Sequence, residues 1–210
     1  LLPSSLPRPQ VQMKLFAIPF FLILLSAAYG QQLEDVVEVD RVDFNSLRDD
    51  SIQIAIELTC GKNPSSEARS STFVENVGVK LYLAWAREDT SREFDYYAAE
   101  VEIAIMEERE EYNVYFYLPG LIAERDSLPD DPEFFYVEIS VDGEKQKPQS
   151  NAMSKNIPNL DILNSFISSA ESGGAKNESL LMPSYLLPGS GIDPGSVSNL
   201  PIYKRRDTAK

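Results

Sequence analysis

The chain has 210 residues, room for one domain of ordinary size and a tail. A net charge of −14 argues against nucleic acid and anionic lipid surfaces as partners, and an apolar content of 43% argues against general disorder. With no histidine and one cysteine, Cys60, the chain excludes Ser-His-Asp and Cys-His catalysis, imidazole zinc sites and an internal disulfide.

Residues 1–12 hold three prolines and read as sequence upstream of a start at Met13. Lys14 then precedes a wholly apolar run of 11 residues, 15–25, followed by small residues up to Gly30. That order is the mark of a secretory signal peptide over 13–30, with the mature chain starting at Gln31. The run is too short to span a bilayer, which needs roughly 20 residues. The expected location is therefore secreted, periplasmic or on the outer cell surface, with no membrane span.

Residues 31–150 read as one β domain. Its reference element is 77–85, where Val77, Val79, Leu81, Leu83 and Trp85 share one side and Gly78, Lys80, Tyr82 and Ala84 the other. A period of two marks a strand with one buried face. Upstream, 36–44 alternates with a phase slip, predicting an edge strand with a bulge near Asp40 and Arg41. Residues 45–50 read as a turn. In 51–58, Ile52, Ile54, Ile56 and Leu58 face inward and Ser51, Gln53, Ala55 and Glu57 outward. Residues 61–72 form a loop, and 73–86 the reference strand. Residues 87–94 read as a charged connection.

Tyr97, Ala99, Val101, Ile103 and Ile105 give the next inward row, and Tyr112, Val114, Phe116 and Leu118 the one after. Residues 121–127 predict one helical turn. Phe135, Val137, Ile139 and Val141 face inward on the following strand, and Asp142-Gly143 signals a hairpin returning through 144–147. Six to seven strands with no helical repeat between them predict an all-β antiparallel sandwich of the immunoglobulin or fibronectin type III kind, with a closed barrel as the alternative.

Residues 151–174 read as a linker and a short helix over 159–170. Leu160, Leu163, Phe166 and Ile167 line one side of it, and Gly173-Gly174 stops it. Residues 175–210 are rich in Pro, Gly and Ser but retain many apolar side chains. They either pack across the sandwich or dock on a partner by adding to a sheet edge. Lys204-Arg205-Arg206 reads as a solvated end rather than a processing site.

No catalytic, cofactor or metal motif emerges. The acidic runs at Asp49-Asp50, 107–111 and Asp130-Asp131 lack calcium-loop spacing and read as solvated turns. Cys60 reads as a small residue ending a strand, the alternative being an intermolecular disulfide. Asn177-Glu178-Ser179 fits the glycosylation triplet, which matters only in a eukaryotic secretory pathway. Six aromatic residues, Tyr82, Tyr96, Tyr115, Tyr117, Phe134 and Tyr136, lie on outward phases of their strands. They form either a protein-binding face or a face covered by the C-terminal helix and tail.

The stretch Val114-Tyr115-Phe116-Tyr117-Leu118-Pro119-Gly120-Leu121-Ile122, then Glu124-Arg125-Asp126 and Tyr136-Val137-Glu138-Ile139-Ser140-Val141-Asp142-Gly143, resembles a known family. It is a family of small secreted Ig-like proteins of Gram-negative bacteria, encoded beside type IV pilus genes. The resemblance covers most of residues 31–190 and carries no site residues across. It implies a non-enzymatic protein at the periplasm or outer surface, in pilus assembly or adhesion. The expected partners are pilus or envelope components, with a homo-oligomer as a further expectation. The alternative is an acidic eukaryotic extracellular matrix protein that interacts with mineral or cationic partners. A hydrolase built on paired carboxylates is a third reading, for which the sequence offers no specific pair.

Overall fold

The structure, a computed structural model, describes residues 35–87 and 90–204, all within the unit Gln31–Lys210. The expected leader 1–12, the signal peptide 13–30, Arg205 and Arg206 lie outside the described residues. In chain order the strands are β1 (Val37–Ser46), β2 (Ile52–Cys60), β3 (Phe73–Arg87), β4 (Thr90–Glu107) and β5 (Glu111–Leu118). Helix α1 (Gly120–Asp126) leads to β6 (Phe134–Val141) and β7 (Glu144–Lys145). Helix α2 (Leu160–Gly173) precedes two short strands, β8 (Met182–Pro183) and β9 (Ile202–Lys204). One sheet has the order β1-β2-β5-β8 and the other β7-β6-β3-β4-β9, with every pair antiparallel. This is an all-β, Ig-like sandwich, and the tail adds a strand to each sheet beyond the six to seven expected.

The core lies between the sheets. Val77, Val79, Leu81, Leu83 and Trp85 from β3 meet Ile54, Ile56 and Leu58 from β2 and Val114, Phe116 and Leu118 from β5, all inaccessible to solvent. Trp85 packs edge-on to Tyr97, with centroids 5.6 Å apart, and donates its ring N–H to the Pro129 carbonyl at 2.9 Å. The same Tyr97 donates to Asp126 at the end of α1, so one aromatic pair fastens both the loop and the short helix to the core. The bulge expected near Asp40 and Arg41 is present as a register shift between Val39 and Arg41. Asp142 and Gly143 both have positive φ, the backbone that an Asp-Gly hairpin turn requires.

Three sequence expectations need correction. The alternation of β3 and β4 does not run through to their far ends. Asn76 sits at φ 56° and turns the strand over, so Val74 is buried while Phe73 is 36% exposed. Asparagine tolerates this left-handed backbone better than most residues. On the partner strand Met106, not Ile105, fills the core. The charged connection expected over 87–94 is mostly strand, since β4 starts at Thr90 and Arg87 binds Glu93 and Asp95 along it. Ser51 and Gln53, on the expected outward phase, are 1% and 4% exposed. Ser51 Oγ accepts from Gly120 N–H, and Gln53 donates to the Pro194 carbonyl, because the tail crosses this face.

Both open sides of the sandwich are closed from within the chain. On one side Gln146 and Gln149 act as a surrogate strand. Their side-chain oxygens accept from the backbone of Val36, Val37 and Val39, and their nitrogens donate to the Val37 carbonyl at 2.7–2.8 Å. On the other side the tail pairs first with β5, through β8, and then with β4, through β9. Paired or capped edges leave little unsatisfied backbone for unwanted strand addition.

Candidate functional site

The six outward aromatic residues do not form one exposed face. Tyr82, Tyr96, Phe134 and Tyr136 lie on the outer face of the five-stranded sheet, where Tyr82 and Tyr136 stack with centroids 6.2 Å apart. Helix α2 covers them with Leu163, Phe166 and Ala170, and Ile157 from the preceding segment completes the layer. Asn159 starts that helix, its side chain accepting from Ile162 N–H at 3.0 Å. Gly173 ends it against Tyr96, where a Cβ would come within 2.7 Å of the ring. Leu160, expected on the buried side, is 60% exposed.

Tyr115 and Tyr117 lie on the outer face of the other sheet, beneath the tail. Tyr117 donates to the Pro194 carbonyl at 2.9 Å, and Tyr115 accepts from Ser198 N–H. Tyr82, Tyr117 and Tyr136 are at most 3% exposed. Burial raises their hydroxyls above the ordinary tyrosine range. Strand periodicity gives their direction correctly, but the covering elements make both faces interior.

Two other candidates are also structural. The Asn177 side chain is buried and donates to the Tyr96 carbonyl at 3.0 Å. Its amide nitrogen is the atom a glycan would be joined to, so the folded chain does not present Asn177 for glycosylation. Cys60 is 1% exposed at the end of β2. Burial, with Glu108 nearby, pushes its thiol up to about 11, which leaves it unsuited to an intermolecular disulfide in the folded state.

Asp95 anchors a charge cluster that the sequence did not single out. It accepts from Arg87 at 2.8 and 3.0 Å and from Lys176 at 2.7 Å, and so ties β3, β4 and the segment after α2 together. The Arg87 hydrogen bonds hold its carboxyl below the usual range despite burial. A depressed folded value stabilises the fold at pH values above the unfolded pKa of about 3.9, and that stabilisation is lost as pH falls through the folded value. Asp95→Asn is expected to destabilise the chain by about 2 kcal/mol at pH 7. Urea titrations at pH 7 and pH 3 check this, since the gap between the two proteins should narrow at pH 3.

Two surface features remain. The first is a charged groove of about 570 Å³ on the outer face of the five-stranded sheet, beyond the end of α2. One cross-strand row, Lys145, Ser140, Gly78, Glu102 and Lys204, runs through it in register. Gly78 keeps the groove open, because a Cβ there would meet Ser140 Oγ at 2.4 Å. Its cations are paired: Lys145 with Glu138 at 2.7 Å, Lys204 with Glu102 at 2.8 Å and Lys80 with Glu171 at 3.2 Å. The second is an apolar recess of about 360 Å³ within the tail, lined by Tyr117, Leu187, Ile192, Pro194, Val197 and Leu200. Val197 and Leu200 are 40% and 48% exposed at its rim. Among the described residues no three acidic or cysteine side chains gather to hold a metal, and no helix is long and apolar enough to cross a membrane.

Among the described residues, nine antiparallel strands in two sheets define an Ig-like β-sandwich. A crystal structure of a protein from Akkermansia muciniphila is similar to it, with a TM-score of 0.60 and 13% identity over 80% of this chain and 93% of that one. At that identity the likeness is one of fold. No family model matches the chain, and no curated protein does.

Proposed function

We propose that this chain is a non-enzymatic, secreted or periplasmic Ig-like protein that works by binding other proteins in a pilus-like surface assembly or adhesion. The observation that carries the reading is the apolar recess of the tail, with Val197 and Leu200 at its rim on a chain of net charge −14. An exposed apolar patch on an otherwise charged surface is the usual form of a protein contact. The signal-peptide pattern and the strand wording of 114–143 support an envelope location, and the fold likeness supports an Ig-like scaffold. Burial of the Asn177 side chain supports this reading over that of a glycosylated eukaryotic matrix protein.

The test is chemical crosslinking in the producing cell, followed by capture of the full chain. Pilus subunits are expected among the captured proteins. Val197→Asp and Leu200→Asp should abolish their capture while leaving the melting temperature within a degree or two, because both side chains sit at the rim of the recess, outside the buried clusters. Capture that is unaffected by either substitution would overturn the assignment of the recess.

A further inference from the structure

Lys204, Asn76, Glu102 and Asp142 meet at one end of the charged groove, and each is placed there by a separate strand or turn. Lys204 belongs to β9 and stands opposite Glu102 of β4. Its Nζ lies 2.8 Å from Glu102 Oε1 and also donates to Asn76 Oδ1. Asn76 belongs to β3, where its positive φ turns the strand over. Its Nδ2 donates to Asp142 Oδ1, and its backbone carbonyl accepts from Asp142 N–H at 3.1 Å. The carboxamide is therefore held at both ends, by an amine on the oxygen side and a carboxylate on the nitrogen side. Lys204 and Glu102 are only partly exposed, at 40% and 24% of their side chains.

A lone surface ion pair would need none of this. Lysine and glutamate alone satisfy each other, and the asparagine would be free to face water. Here a potential nucleophile, an acyl centre, a proton acceptor and an orienting carboxylate converge on one point, which is the arrangement amide exchange requires. We infer that Lys204 and Asn76 become joined by an amide bond between Nζ and Cγ, with Glu102 as the catalytic proton carrier.

The step balances without an outside reactant. Lys204 gives one proton to the Glu102 carboxylate, and the free amine attacks Asn76 Cγ. The Nζ–Cγ bond forms as the carbonyl electron pair moves onto Oδ1. A second proton passes from Nζ to Nδ2, which Asp142 holds in position. The electron pair returns, Cγ–Nδ2 breaks and ammonia leaves, taking the proton from Glu102 as ammonium. Nothing is oxidised or reduced. Proximity supplies the rate, since fixed intramolecular partners reach effective concentrations of about 10⁵ M or more. The product fastens β9, a strand of only three residues, across β4 to β3. A crosslink between residues so far apart in sequence also restricts the unfolded chain.

The experiment is mass spectrometry of the purified full chain, with its N-terminus fixed by peptide mapping. The wild type should weigh less than its sequence by one ammonia, counted apart from any ammonia lost by cyclisation of an N-terminal Gln31, which the mapping identifies. Its tryptic digest should contain a branched peptide joining the segments of Asn76 and Lys204, with no cleavage after Lys204. Lys204→Arg, which keeps the charge, and Asn76→Ala should each restore the sequence mass and lose the branched peptide. Glu102→Gln should leave the two segments unlinked. A wild type at its full sequence mass, cleaved normally after Lys204, would overturn the inference. So would an ammonia deficit that persists in Lys204→Arg and maps to the Asn76 segment, because that marks a succinimide at Asn76 rather than a crosslink.

Discussion

A chain ending at Ser154 is expected to lose its cooperative unfolding transition altogether. Truncation removes α2, β8 and β9, and with them the cover over both outer faces. Tyr82, Tyr115, Tyr117 and Tyr136, none more than 6% exposed in the full chain, would then face water. Burying a large apolar side chain is worth about 1.5–3 kcal/mol. Four such losses already approach the whole stability of an ordinary domain, about 5–15 kcal/mol. Polar groups suffer as well: Asp95 loses Lys176, and Gln53 and Tyr117 lose the Pro194 carbonyl. The edges of β4 and β5 also lose their pairing. Circular dichroism melting and dye binding to exposed apolar surface check the outcome. A truncated chain that melts sharply within a few degrees of the full one would show that the C-terminal segment is an accessory.

The second large effect is expected at Trp85. Its ring is inaccessible to solvent, packs edge-on to Tyr97 and donates to the loop at Pro129. Trp85→Ala should cost about 3–5 kcal/mol through lost transfer energy and the cavity left behind. Trp85→Phe keeps much of the ring volume and loses the N–H donor, and should cost about half as much. The loss propagates outward because Tyr97 in turn holds Asp126 of α1. Urea unfolding followed by circular dichroism measures both variants, since Trp85 is the sole tryptophan and cannot serve as the probe. Equal costs for the two substitutions would mean that the hydrogen bond to Pro129, not packing, dominates at this position.

The central strands were legible because their alternation is long. Residues 77–85 and 52–58 each present repeated apolar positions, and their core assignment follows from the period of two alone. The reversal at Asn76 was hidden, since one left-handed residue shifts the phase without changing composition. Strands β8 and β9 have two and three residues, too few for any period to register. The tyrosines were assigned outward correctly, yet outward does not mean exposed when a helix or tail lies over the sheet. The groove was invisible for another reason. Gly78, Glu102, Ser140, Lys145 and Lys204 become neighbours only through strand register, which the sequence does not state. Asp95 gave no signal because its partners, Arg87 and Lys176, come from separate parts of the chain.

The account turns on the C-terminal segment being part of the sandwich, and amide hydrogen exchange on the full chain tests that most directly. The amides of Leu163, Phe166 and Ala170 in α2 should exchange only with global opening, at rates close to those of Leu81 and Leu83 in β3. Those of Ile202 and Tyr203 in β9 should be protected well above the 61–72 loop. Exchange of all five C-terminal amides at the rate of that loop would contradict the account and return the segment to the status of a loose tail.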